Sequence, residues 1–199
     1  MKNRFLFLFL SIFLLLNFPL NNLIAEELNF EATELEILKS GKLIKAKNGA
    51  KLFGKNIVIT SNQFLYDKIN SKVVVKGNVR IEDLVNNTII LSDSAEYLRD
   101  KEIIFADGNV KIDDTINETI IFADNIKYLK REEKFITNGY TKILFKNNFN
   151  FETKSVVYEK KIYKLYSNSK TKIFDNLNNV FESNDFIFLV NKKTIRAKG

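Results

Sequence analysis

The chain has 199 residues, enough for one domain or two, and it is basic, with 31 Lys and Arg against 24 Asp and Glu and a formal charge of +7. It contains no Cys and no His, which excludes disulfides and thiolate metal sites and removes the usual general base and the commonest neutral metal ligand. These absences argue against an enzyme and give no reason to expect a metal or a cofactor.

Residues 1–25 read as an export signal. Lys2 and Arg4 precede the apolar run Phe5 to Leu16, and "NFPLNNLIA" follows, ending at Ala25. Leu23 is larger than the residue preferred two places before a cleavage point. A helix over the apolar run spans only about 18 Å, short of a bilayer core of roughly 30 Å. Cleavage is therefore expected rather than anchoring. Its removal leaves 29 basic and 24 acidic residues, a charge of +5 that is spread rather than blocked. Export without Cys suggests a periplasm-like space and a fold that needs no disulfide staple.

Residues 26–199 form one repeat-built domain. A weak first copy starts near Phe30, with Gly49 in a glycine role. Five clearer copies then follow. Tyr66, Tyr97, Tyr128, Tyr158 and Phe188 fall at steps of 31, 31, 30 and 30, and Gly77, Gly108, Gly139, Ser169 and Gly199 stand eleven residues after them. Ile81, Ile112, Ile143 and Ile173 come four residues beyond the first four of these. The spacing predicts five to six stacked units of about thirty residues.

Each unit divides into two strand-like halves. In "TIILSDSAEYL" an apolar column (Ile59, Ile90, Ile121, Phe151, Phe181) is followed two residues on by a small one (Ser61, Ser92, Ala123, Thr153, Ser183). The apolar parity then slips to Phe64, Ala95, Ile126, Val156 and Phe186. A slip beside Asn62, Asp93 or Asp124 predicts a bulge or corner, which those side chains would cap. In "KVVVKGNVRIED", Val73, Val75, Val79 and Ile81 share the inward face, and Gly77 permits a bend. The stretches "DKINSK", "LRDKE" and "LKREEK" are turns, with their charge read as solvated. No long segment has helical period, so the fold is expected to be all-β, a tube or folded trough with a continuous apolar lining, for which a packed interior with no ligand is the simpler reading and a groove along the molecule the other. Its ends are expected to be open: the sequence stops at Gly199, half-way through a repeat, so either the natural chain continues or the uncapped strand edge pairs with another chain.

"VKGNVRI", "FADGNVKI" and "SDSAEYLRDKE" resemble the OstA-like repeats of the lipopolysaccharide-transport family, which comprises the periplasmic bridge protein LptA and the N-terminal domain of the outer-membrane assembly protein LptD. The resemblance covers about residues 30–199 and fades in the later copies, where the glycine phrase becomes "NGYTKI" and "SNSKTKI". It implies a V-shaped, twisted β-jelly roll. Such proteins stack end to end by strand pairing and carry lipopolysaccharide with its acyl chains in an apolar interior. Its implied partners are lipopolysaccharide, other jelly-roll members, an inner-membrane transporter and an outer-membrane β-barrel. Without a C-terminal barrel, an LptD-type chain would be only the N-terminal piece. Under this resemblance the inward positions Ile59, Phe64, Val75, Val79, Ile81, Ile90, Val110, Ile112, Ile121 and Ile126 are the expected lipid contacts. Lys76, Arg80 and Lys111 are candidates for meeting lipid phosphates at an open rim, although solvated outward residues are the simpler reading.

Other classes fit less well. A β-repeat lyase or hydrolase needs a fixed carboxylate pair or a metal cluster on one face, and the acids here lie mainly in turns and corners. An exported adhesin-type or structural β-repeat protein with no lipid cargo is the alternative. Nucleic-acid binding is not expected, because no basic stripe is present.

Overall fold

The computed structural model describes residues 28–145, 149–177 and 179–198. The expected signal segment and Gly199 lie outside the described residues. Sixteen antiparallel strands form one sheet. They are β1 (Asn29–Glu31), β2 (Glu34–Leu38), β3 (Leu43–Phe53), β4 (Ile57–Asp67), β5 (Lys72–Asp83), β6 (Thr88–Leu98), β7 (Ile103–Asp114), β8 (Thr119–Leu129), β9 (Lys134–Phe145), β10 (Asn150–Thr153), β11 (Val157–Glu159), β12 (Lys164–Ser167), β13 (Thr171–Phe174), β14 (Val180–Ser183), β15 (Asp185–Leu189) and β16 (Thr194–Lys198). Strand β5 is the phrase "KVVVKGNVRIED" and β6 is "TIILSDSAEYL", so each sequence half-unit is one strand. The fold is all-β and repeat-built, a folded sheet of the twisted jelly-roll kind.

The sheet folds because every long strand bends near its middle. Between β5 and β6 the register runs Lys76↔Ser94 and then Val79↔Ser92, so Gly77 and Asn78 together oppose Asp93. Both bulge residues have positive φ, +77° at Gly77 and +49° at Asn78. A Cβ on Gly77 would stand 2.6 Å from Asn62 Nδ2, so only glycine fits there. Asn tolerates the left-handed conformation and bonds locally. Asn78 Nδ2 donates to Asn62 Oδ1 (3.4 Å), Asn109 Nδ2 to Asp93 Oδ2 (2.8 Å), and the Tyr140 amide to Asp124 Oδ2 (2.8 Å). The repeated "GN" phrase is thus the corner, and the expected capping by Asn62, Asp93 and Asp124 is present.

Past β9 the glycine phrase is gone and the strands break instead of bending. Hydroxyls replace the glycine corner: Thr171 Oγ1 donates to Thr153 Oγ1 (3.1 Å), Thr153 and Ser167 share a bond of 3.2 Å, and Ser167 Oγ donates to the Ser155 carbonyl (2.6 Å).

Each strand half belongs to one of two arms that face each other. Arm 1 holds β2, the outer halves Leu43–Lys47, Gln63–Asp67, Lys72–Lys76, Ser94–Leu98, Ile103–Asp107, Asn125–Leu129 and Lys134–Asn138, then β11, β12, β15 and β16. Arm 2 holds β1, the remaining halves, and β10, β13 and β14. The inner surfaces form one core, which changes along the molecule from Ile, Val and Ala to rings. Tyr128 stacks on Phe135 with centroids 4.1 Å apart, and Phe151 stacks on Phe186 at 4.7 Å.

Candidate functional site

The ten expected lining residues sit on strands β4 to β8, from both arms, and all face inward with 0–3 % of their surface exposed. The structure brings them into one continuous cluster. Of the two readings of the lining, a packed core and an open groove, the structure shows the packed core along this stretch, because apolar faces left apart would meet water.

Among the described residues, the lining emerges at the two ends, on opposite arms. At one end Leu35 and Ile37 of β2 pair with buried Ala46 and Ile44, yet Ile37 is 64 % exposed. At the other, Phe181 of β14 continues the column of Ile59, Ile90, Ile121 and Phe151 and is 54 % exposed. A skew of the arms explains both. Arm-2 residues meet arm-1 residues three strands further along: Asp83 of β5 meets Tyr128 of β8, Asp114 of β7 meets Tyr158 of β11, and Phe145 of β9 meets Phe188 of β15. Three strands is about 14 Å of offset. Arm 1 therefore overhangs at the N-terminal end and arm 2 at the C-terminal end.

Those same three pairs close the long edge opposite the corner, here called the mouth. At the first level the Tyr128 hydroxyl donates to Asp83 Oδ2 (2.8 Å), Asn86 Nδ2 donates to both, and Lys130 Nζ lies 3.3 Å from Asp83 Oδ1. At the second the Tyr158 hydroxyl donates to Asp114 Oδ2 (2.7 Å), Asn117 Nδ2 donates to both, and Lys160 Nζ lies 2.8 Å from Asp114 Oδ1. Lys160 also donates to the Asn86 carbonyl and to Thr88 Oγ1, which joins the two levels. At the third level Phe145 and Phe188 take these places, with ring centroids 4.6 Å apart, and Val190, two residues after Phe188, packs against the core.

All four charged side chains of the polar levels are buried. Among the described residues, no buried side-chain N or O atom lacks a partner. Burial pushes the Tyr128 and Tyr158 phenols far above their ordinary value, and the adjacent carboxylates push the same way. Burial would raise the Asp114 carboxyl, but bonds from Lys160, Tyr158 and Asn117 outweigh it and hold the group below its usual range.

The two kinds of level differ in what separation does. Parting a polar level returns its ions to water and recovers hydration worth several kcal/mol per ion, in effective terms. Parting Phe145 from Phe188 exposes apolar surface, roughly 1.5–3 kcal/mol per side chain, with nothing recovered.

The sequence reading did not find this network. The stretch "LKREEK" reads as a solvated turn, whereas Lys130 opens a single 3-10 turn, Lys130–Glu132, and reaches inward. The signal was present in the repeated spacing "DLVNNT" and "DTINET", with a Lys two residues after Tyr128 and Tyr158. The three basic candidates stand where the simpler reading, solvated outward residues, puts them, and not at the mouth. Lys76 stands beside the corner, on the edge away from the mouth. Arg80 and Lys111 lie on the outer face, bonded to Glu82 (2.9 Å) and Asp113 (3.5 Å). They point outward because their strand parity is opposite to that of Val79 and Val110.

Among the described residues, no group of three or more Asp or Glu is placed to hold a metal ion, and no helix is long and apolar enough to cross a membrane. No protein-family model matches the chain, and no curated protein matches it. Among solved structures, the chain is similar to LptH, the LptA homologous periplasmic component of the conserved lipopolysaccharide transport device from Pseudomonas aeruginosa. The identity is 11%, the alignment covers 79% of this chain and 82% of that one, and the TM-score is 0.29. A likeness of that degree carries no inference about function.

Proposed function

We propose that this protein is a non-enzymatic, exported lipid carrier that moves lipopolysaccharide across the periplasm toward the outer membrane, with acyl chains held between the two arms. The observation behind this reading is the continuous apolar interior whose lining surfaces at both ends on opposite arms. The ten residues from Ile59 to Ile126 named above are its proposed lipid contacts. An acyl chain of about a dozen carbons offers on the order of 9 kcal/mol on leaving water, at about 0.8 kcal/mol per CH₂. Because the two arms pack on each other along the lining, they must part to take up cargo, and that parting offsets some of this gain. The overhanging edges β2 and β14 are proposed to pair with other jelly-roll proteins of the same transport system, one of them joined to an outer-membrane β-barrel.

Photo-crosslinking residues placed singly at Ile112 and at Lys111 test the reading in living cells. Lipopolysaccharide adducts at 112 and few at 111 are expected. Equal labelling, or none, would favour an exported β-repeat binding or structural protein with no lipid cargo.

A further inference from the structure

We infer that the mouth is the loading gate of the interior, that its two polar levels open, and that the Phe145–Phe188 level stays shut as a clasp. This rests on the carrier reading and specifies how that site is reached. Three observations carry it. First, the opposite long edge is continuous backbone, bent at Gly77 and Gly108 against Asn62 and Asp93, so the arms can separate only at the mouth. Second, among the described residues every bond across the polar stretch of the mouth involves a side chain and none joins backbone to backbone: it is held through Asp83, Tyr128 and Lys130 and then Asp114, Tyr158 and Lys160. These groups exchange their partners for water when the arms part, which keeps the open state accessible. Third, the substitution at the next level is concerted. Where Asp, Tyr and Lys stand twice, Phe145, Phe188 and Val190 stand together, and an aromatic pair gains nothing from water on parting.

The position of the gate follows from the same geometry. The polar levels flank the central strands β5 to β8, which carry eight of the ten proposed lipid contacts, from Val75 to Ile126. The clasp lies over the ring-rich part, where Phe145, Phe151, Phe186 and Phe188 pack together. An acyl chain admitted sideways at Asp83 or Asp114 would enter the aliphatic stretch directly and need not thread from either overhang.

The absence of Cys allows a direct test on the full chain. The double variant Asp83→Cys, Lys130→Cys removes one positive and one negative charge together and is stapled across the mouth with a short, reductant-cleavable bifunctional thiol reagent. A second pair, Asn62→Cys with Asn78→Cys, is stapled at the corner. Loading of fluorescent lipopolysaccharide from micelles is followed for each form before stapling, after stapling and after cleavage. The mouth staple is expected to slow loading by about tenfold or more, which corresponds to about 1.4 kcal/mol of added barrier, and cleavage should restore it. The corner staple should leave the rate unchanged. Because Lys160 bonds Asn86 and Thr88 beside the first level, the two levels open together; equal loading with the first level stapled or free would overturn the gate and leave the carrier reading standing, as would slow loading that persists after cleavage. If the unaltered chain itself takes up no lipopolysaccharide, the carrier reading falls and the gate falls with it.

Discussion

The two long edges of this folded sheet are closed by different chemistry. At the corner the chain itself turns, and the closing contacts are between neighbours in the sheet, such as Asn109 with Asp93. At the mouth, residues more than forty positions apart in sequence meet through their side chains, as Tyr128 does with Asp83 and Tyr158 with Asp114. The corner is a permanent fold and the mouth is a set of reversible contacts. A sheet built this way has a hinge and an opening, which a sandwich closed by backbone on both edges would lack.

The strongest way to break the comparison is to strand a charge at the mouth. Asp114→Ala leaves Lys160 buried without its carboxylate and is expected to lower stability by about 3–5 kcal/mol, read by urea unfolding. The double variant Asp114→Leu, Lys160→Met should recover only the part of that loss that comes from the stranded Lys160 charge, because Tyr158 and Asn117 still lose their acceptor at position 114. If the double variant is as damaged as the single one, the polar levels hold the arms by more than mutual compensation.

Gly108→Ala tests the corner. Its φ of +75° and the Asp93 side chain against it should make the new methyl cost about 1–3 kcal/mol. A neutral result would mean that the corner does not need its glycine. Tyr158→Phe is smaller still. It removes one donor to Asp114 and leaves the Asn117 amide one acceptor short, for a loss of about 1–2 kcal/mol with the fold intact. On the outer face, Arg80→Ala should change stability by at most ~1 kcal/mol, since its partner Glu82 is also solvent-accessible.

Acid distinguishes the edges in another way. The folded Asp114 pKa lies below its unfolded value, so its contribution is present above the ordinary Asp value of about 3.9 and is lost as pH falls through the lower folded value. Thermal midpoints should therefore show no Asp114 contribution to pH dependence between about pH 5 and 8. The wild type should lose an advantage over Asp114→Asn only below about pH 4. A loss of that advantage near neutrality would contradict the assignment of Asp114 as an ionised mouth residue.

The fold was legible in the sequence because its signals are local and repeated. Period-two alternation placed Val73 to Ile81 on one face, and the parity slip beside Asp93 marked the corner before any pairing was known. The mouth was not legible in the same way. Asp83 and Lys130 each resemble ordinary turn residues, and only the three-strand skew, a tertiary property, brings them together. The exposure of Phe181 likewise follows from that skew, since its column is buried at every earlier strand. The ring-rich later copies lost the glycine phrase yet kept the corner, because Thr and Ser hydroxyls satisfy the backbone that glycine would otherwise release.

The central claim is that the space between the arms accepts acyl chains. The chain contains no Trp, so a single Trp can report from one chosen site. Phe135→Trp places it in the interior and Phe105→Trp places it on the outer face. With lipopolysaccharide bearing brominated acyl chains, emission at 135 should be quenched strongly and emission at 105 should be nearly unchanged. Equal quenching at both positions, or none at 135, would contradict the account.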